Sequence, residues 1–319
     1  MADHDQPSQK DMDCASQATC KTAGKDGSGC ASCASRPGGP NPFAQQDALI
    51  NQTLGHIKYT LFVMSGKGGV GKSSVAVNIA AALAVKGFQV GILDVDIHGP
   101  SVPNLLGLGH GLDMDEGGEK LIPAEYLPNL HVISMDSLLQ DKDTAILWRG
   151  PKKTAAIRQF LSDVAWGDLD FLIIDSPPGT GDEHLTILKT IPNALSVMVT
   201  TPQEISLADV RKAVNFLQHA RGRILGVVEN MSGLACPHCG NDIPLFKKGG
   251  GKAMAEQYGI PFLGAIALDP TSVVAADAGT PVVLMEADSV AKRDFLALAD
   301  AVISACESDT AVLLPSPEE

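Results

Sequence analysis

The 319-residue chain predicts an α/β fold built on a doubly wound, mainly parallel sheet. Three observations lead there. Short apolar runs of strand length recur along the chain, and stretches with helical apolar spacing lie between them. That alternation gives parallel strands with helices on both faces. Several of the runs end in glycine or aspartate, as strands do when their carboxyl ends carry a ligand site. Hydrophobic residues make up 45% of the chain but aromatics only 4%, so a sizeable core can form and must rest on Ala, Val, Ile and Leu.

Residues 1–42 stand apart. They are rich in Gly, Ser, Asp and Gln and hold four of the seven cysteines, Cys14, Cys20, Cys30 and Cys33. Such a segment has no core of its own and is expected to be disordered unless a bound metal or cluster orders it. Pro37-Gly38-Gly39-Pro40-Asn41-Pro42 reads as a linker. The expected organisation is therefore a Cys-rich extension and linker over 1–52, one α/β domain over 53–308, and a flexible polar tail over 309–319.

Within the domain, Tyr59–Met64 is the first strand, and Ser73–Lys86 has helical spacing and strong helix formers. Val90–Leu93, Phe171–Ile174, Ala194–Thr200, Ile224–Val228 and Pro261–Ile266 are five further strands. Thr154–Val164, Ile205–His219, Lys252–Tyr258 and Lys292–Ser304 are helices between or after them.

The net charge of -13 repels phosphate backbones, so nucleic acid is not an expected partner. No apolar stretch reaches the ~18 residues of a spanning helix, and the first residues form neither a signal nor a transit peptide. A cytoplasmic protein without a membrane partner is expected. Cysteines in that compartment point to metal or redox chemistry rather than disulfides.

Between the first strand and the first helix of the domain lies Gly66-Lys67-Gly68-Gly69-Val70-Gly71-Lys72-Ser73, followed by Ser74. This is the phosphate-loop pattern in its required context. The glycines let backbone N–H groups turn toward phosphate oxygens, and the helix presents its positive end to them. Lys72 is expected on the β- and γ-phosphates of ATP and Ser73 on Mg²⁺. Lys67 adds a second cation that can stabilise transition-state charge; a solvated loop lysine is the plain alternative. Asp175, closing Phe171-Leu172-Ile173-Ile174, suits Mg²⁺ held through water. Asp94 and Asp96 end another strand and are assigned to the Mg²⁺ shell and to orienting the attacking water. Either could instead cap the segment that follows. Gly179-Thr180-Gly181-Asp182 reads as a loop that senses the γ-phosphate, or as an ordinary turn.

Cys236-Pro237-His238-Cys239 places two thiolates where one metal centre can take both. Two thiolates are half the set for a four-iron cluster, and a two-fold dimer would supply the rest. One knuckle of a zinc ribbon has the same spacing. The N-terminal four could hold a second [4Fe–4S] cluster, a zinc ion or nothing.

These residues, in order, resemble the Mrp/ApbC/Nbp family of iron–sulfur carrier ATPases. The resemblance runs from about Tyr59 to Ala305 through Ser65–Ser73, Asp94-Val95-Asp96-Ile97-His98-Gly99-Pro100-Ser101, Trp148-Arg149-Gly150-Pro151 and Asp175–Asp182. It continues through Glu229-Asn230-Met231-Ser232, the Cys236–Gly240 stretch and Gly249-Gly250-Gly251. It implies a homodimeric P-loop NTPase fold, ATP hydrolysis, and a labile bridging [4Fe–4S] cluster on Cys236 and Cys239 that is handed to apo-proteins. Lys67 would reach the partner's nucleotide, as in the deviant Walker A group. Asn230, with Pro202-Gln203-Glu204, would lie at the adenine. The family's eukaryotic-type members carry an N-terminal four-Cys site, though the spacing here departs from theirs. A positioning or regulatory ATP switch without a cluster, and a zinc-stabilised ATPase, remain the other readings.

Overall fold

The computed structural model describes residues 43–96, 99–109, 111, 113–138, 150–235, 242–243 and 245–315. Cys14, Cys20, Cys30, Cys33, Cys236 and Cys239 all lie outside them, as do His98, Trp148 and Arg149. The chain divides into two units, Met1–Ala48 and Leu49–Glu319, and the whole sheet belongs to the second.

Helix α1 covers Ala44–Gly55, a stretch the residue composition had grouped largely with the linker. Strand β1 (Ile57–Ser65) follows and leads through the phosphate loop into α2 (Lys72–Val85). From Val75 to Ala84 every side chain of α2 is buried, so it reads apolar on all sides, as a helix enclosed by other elements does. Then come β2 (Val90–Asp94), the short α3 (Val102–Leu105), the β3–β4 ribbon (Asp113–Met114, Leu121–Ile122), β5 (Ala124–Leu127) and β6 (Leu130–Ser134). Helix α4 (Gly150–Asp163), β7 (Leu169–Asp175), α5 (Asp182–Thr190), β8 (Leu195–Thr200), α6 (Glu204–Ala220) and β9 (Arg223–Glu229) continue the alternation. The ribbon β10–β11 (Leu234–Ala235, Asp242–Ile243), α7 (Gly250–Tyr258), β12 (Phe262–Ala265), α8 (Pro270–Asp277) and α9 (Val290–Glu307) complete it.

The main sheet has the order β12-β9-β8-β1-β7-β2-β6-β5, and every neighbouring pair is parallel except β5 with β6. All six expected strands are in it. The edge pair β5–β6 was not read from the sequence, because Ala124-Glu125-Tyr126-Leu127 lacks a clear alternation and its hairpin partner is needed to hold it. One apolar layer lies under α2, α8 and α9, the other under α4, α6 and α7. This is the doubly wound arrangement, and it brings the carboxyl ends of β1, β7 and β2 together at one rim.

The tail expected to fray is held at Val312, which exchanges two 2.8 Å hydrogen bonds with Ile224. Strand β12 pairs with β9 only from Val227 onward. The free backbone groups of Ile224 would otherwise lack a strand partner, and Val312 satisfies them.

Candidate nucleotide-binding site

The rim is built by register. Val63 of β1 sits opposite Asp175 of β7, and Asp175 sits opposite Asp94 of β2. Three strand ends thus deliver the phosphate loop and two carboxylates to one place. The loop closes round a cavity of about 360 Å³ that Lys67, Lys72, Ser73, Ser74, Asp96 and Pro178 line in part. Two glycines are required by space. A Cβ at Gly66 would overlap the backbone of Asp209, and one at Gly71, where φ is 79°, would overlap the amide of Asn230.

Lys72 is 7% exposed, and its Nζ lies 2.6 Å from Oδ1 of the fully buried Asp175 and 3.1 Å from Oγ of Ser73. Burial raises the Asp175 carboxyl, against the pull of Lys72. Burial, and then the charge of Asp175, push Asp94 well above the usual carboxylate range. Both Asp94 oxygens are engaged, Oδ1 by the Asp96 N–H at 3.0 Å and Oδ2 by the Ser134 hydroxyl at 3.2 Å. Asp96 itself accepts the Gly99 N–H at 3.2 Å. Asp94 therefore ties down its own strand end, while Asp96 faces the cavity.

The second oxygen of Asp175, Oδ2, is buried without a hydrogen-bond partner among the described residues. An orphaned carboxylate oxygen beside Ser73 fits a hydrated Mg²⁺, which needs few protein ligands when phosphates and waters supply the rest. Among the described residues no group of three His, Cys, Asp or Glu side chains is arranged to hold a metal ion by itself.

Asn230, expected beside the adenine, donates from Nδ2 to the carbonyl of Val70 at 2.9 Å and so braces the phosphate loop. The stretch after Asp175 is stitched to β1: Ser176 N–H bonds the Val63 carbonyl and Gly179 N–H the Ser65 carbonyl. Pro178 comes within 3.9 Å of the space beside Gly68.

Two buried residues were given no role from the sequence, Glu229 being named only within the resemblance. Glu229 closes β9 fully buried and is hydrogen-bonded at both oxygens. His184, in the first turn of α5, accepts the Gly181 N–H at 3.2 Å through Nδ1, and its Nε2 is buried with no partner among the described residues. Phe62 and Phe216 meet the ring edge-on. No local pattern gives either residue its role, because each matters through what the fold packs over it.

Burial lowers His184 from an ordinary 6.5 to about 4. The folded state therefore holds this imidazole neutral over a window in which the unfolded chain protonates it. Its contribution is fully present above pH 6.5 and is lost as pH falls toward 4, by about 3 kcal/mol in all. Unfolding free energies from urea titration at pH 7 and pH 5 should differ by about 2 kcal/mol through this group, since the rest of the loss lies below pH 5, and His184→Leu should remove that part. An unchanged slope in the variant would assign the acid loss to other groups.

The ParA family described as NUBPL iron-transfer P-loop NTPase matches residues 56–303. The chain belongs to this family. An iron-sulfur cluster carrier protein of Methanocaldococcus jannaschii is 45% identical over 266 residues, covering 83% of this chain and 91% of the relative. The cytosolic Fe-S cluster assembly factor CFD1 of Saccharomyces cerevisiae is 46% identical over 237 residues, 72% of this chain and 80% of the relative. A nucleotide-binding protein of Archaeoglobus fulgidus, solved in complex with ADP, superposes with a TM-score of 0.65 at 39% identity, over 73% of this chain and 91% of that one. The family's P-loop and parallel sheet are those described above, and this P-loop NTPase has no described helix long and apolar enough to cross a membrane.

Proposed function

We propose that this P-loop NTPase is an ATP-dependent iron–sulfur cluster carrier that holds a labile [4Fe–4S] cluster between two copies of the chain and delivers it to apo-proteins. The observation that carries the nucleotide half is the Lys72–Asp175–Ser73 constellation at the mouth of the glycine loop. The cargo half rests on the Cys236 and Cys239 pair and on membership of an iron-transfer family.

In this reading the loop N–H groups and Lys72 hold the ATP phosphates. Ser73, with Asp175 through water, would hold Mg²⁺, which would neutralise charge on the phosphates. Asp96 faces the cavity and orients the attacking water, and Lys67 reaches the nucleotide of the partner copy. Cys236 and Cys239 from two copies supply the four thiolates a [4Fe–4S] cargo needs. Cys14, Cys20, Cys30 and Cys33 form a second cluster site in each chain. Cys306 has no part: it is buried in α9, and burial pushes its thiol up to about 12.

Iron, zinc and acid-labile sulfide per chain, measured on protein purified without oxygen, test this. About two irons and two sulfides per chain mean one cluster per dimer, and about six of each add one N-terminal cluster per chain. Zinc without sulfide would replace the carrier by a zinc-stabilised ATPase. Neither metal, even after reconstitution, would leave an ATP-driven switch.

A further inference from the structure

We infer that Glu229 and Asn230 form a relay between the phosphate loop and the segment that carries Cys236 and Cys239. The inference deepens the carrier reading and rests on it for its biological sense, though not for its test.

The two residues are neighbours at the carboxyl end of β9, and successive side chains of an extended chain point to opposite faces of the sheet. Asn230 turns to the α2 face, where its amide grips the Val70 carbonyl at 2.9 Å and fills the space that Gly71 leaves open. Glu229 turns to the α7 face. Its Oε1 accepts the Ser232 hydroxyl at 2.5 Å and the Gly249 N–H at 2.8 Å, and its Oε2 accepts the Gly251 N–H at 2.5 Å.

Those partners mark the two feet of the cysteine segment. Ser232 precedes the outgoing strand β10, and Gly249 to Gly251 begin α7, where the chain has returned from β11. Cys236 and Cys239 lie in the chain between β10 and β11. One buried carboxylate therefore clamps both feet, and its neighbour in sequence clamps the phosphate loop. The foot cannot slip past the clamp: a Cβ on Gly251 would come within 3.1 Å of both Glu229 Oε2 and Thr200 Cγ2, and one on Gly250 would press on the Pro202 carbonyl at 2.6 Å.

The peptide joining these clamps is held from both sides. Asn230 N–H bonds the Thr200 carbonyl at 2.7 Å, Ser232 N–H bonds the Ile266 carbonyl at 2.8 Å, and Met231 between them sits at a left-handed φ of 57°. Such a stretch turns as a unit rather than bending at one bond. When phosphates fill the loop and the Val70 peptide adjusts, Asn230 is drawn with it, and Glu229 carries the motion to Ser232 and the start of α7. A second site responds to the first through an element that both bias, and residues 229–232 touch the phosphate loop at Val70 and the chain on either side of the cysteine segment at Ser232, Gly249 and Gly251.

The test uses the full chain, reduced and free of metal. Alkylation rates of Cys236 and Cys239 by iodoacetamide are followed by peptide mass spectrometry, with and without saturating Mg²⁺ and a non-hydrolysable ATP analogue. In the parent, nucleotide should change these rates by about fivefold or more. Glu229→Gln presents an amide N–H to the backbone donors of α7, so it should bind nucleotide and lose most of that response. Asn230→Ala, measured at a nucleotide concentration that saturates it, should lose the response from the other end and covers the case in which Glu229→Gln fails to fold. Unresponsive thiols in the parent, or a parent-like response in either variant, would overturn the relay. Because no cluster is present, thiols that respond in a chain that never loads iron would keep the relay and sink the carrier reading. A cluster-loading chain with unresponsive thiols would do the reverse.

Discussion

Lys72→Ala is expected to weaken ATP binding by about a hundredfold to a thousandfold, measured by titration with a fluorescent nucleotide. The loss has two sources. The ammonium is poised at the loop mouth, and each charge-assisted contact it makes to phosphate contributes about 1.5–3 kcal/mol. It is also the cation against which Asp175 is buried, at 2.6 Å with neither side chain open to solvent. Without it Asp175 and Asp94 remain beside each other at the rim, and the carboxylate–phosphate repulsion is no longer offset. Some loss of folding stability should accompany the change, of order 3 kcal/mol at most, because Asp175 can take up a proton once its partner is gone. Lys67→Ala is the contrast. Its side chain is half-buried at the cavity wall, so binding should fall little while hydrolysis drops by about tenfold or more if it acts on the partner's nucleotide. Equal hydrolysis by this variant and the parent would remove the reason to give the second lysine a catalytic part.

The double substitution Cys236→Ala and Cys239→Ala should lower iron and sulfide by about two per chain and abolish transfer to an apo-protein, with ATP affinity unchanged within about twofold. Lys72, Ser73 and their loop neighbours line the nucleotide cavity, so the two losses should separate. Iron that stays with the double variant would take these cysteines out of the ligand set. If four irons per chain remained, they would be assigned to Cys14, Cys20, Cys30 and Cys33, and a further substitution of that group should remove them.

What could be read along the chain was the part encoded locally. The glycine loop between an apolar run and a helix, the acids closing Val90–Asp94 and Leu169–Asp175, and the alternation of strand and helix are each properties of fewer than about twenty consecutive residues. They were enough for the parallel sheet and for the P-loop, because a buried strand and a phosphate loop each impose residue types on their own segment. The helix over Ala44–Gly55, the edge pair β5–β6 and the docking of Val312 on Ile224 were not legible, since each is held by packing or pairing with residues far along the chain.

The same division runs through the site. The sequence by itself named the groups expected round the phosphates and their Mg²⁺: Lys72 and the loop glycines for phosphate, Ser73 and Asp175 for the metal. Only the tertiary structure decided how they are used. Burial, and then the register that placed Asp94 against Asp175, raised its carboxyl, while Ser134 and the Asp96 N–H took up its oxygens. Folding set Asn230 on the phosphate loop, 160 residues away in sequence, and buried His184 and Glu229 among partners that no local pattern specifies. The physical reason is that a charge or hydrogen bond takes its worth from the dielectric and the partners around it. Those are supplied by strands and helices that meet only when the sheet has formed.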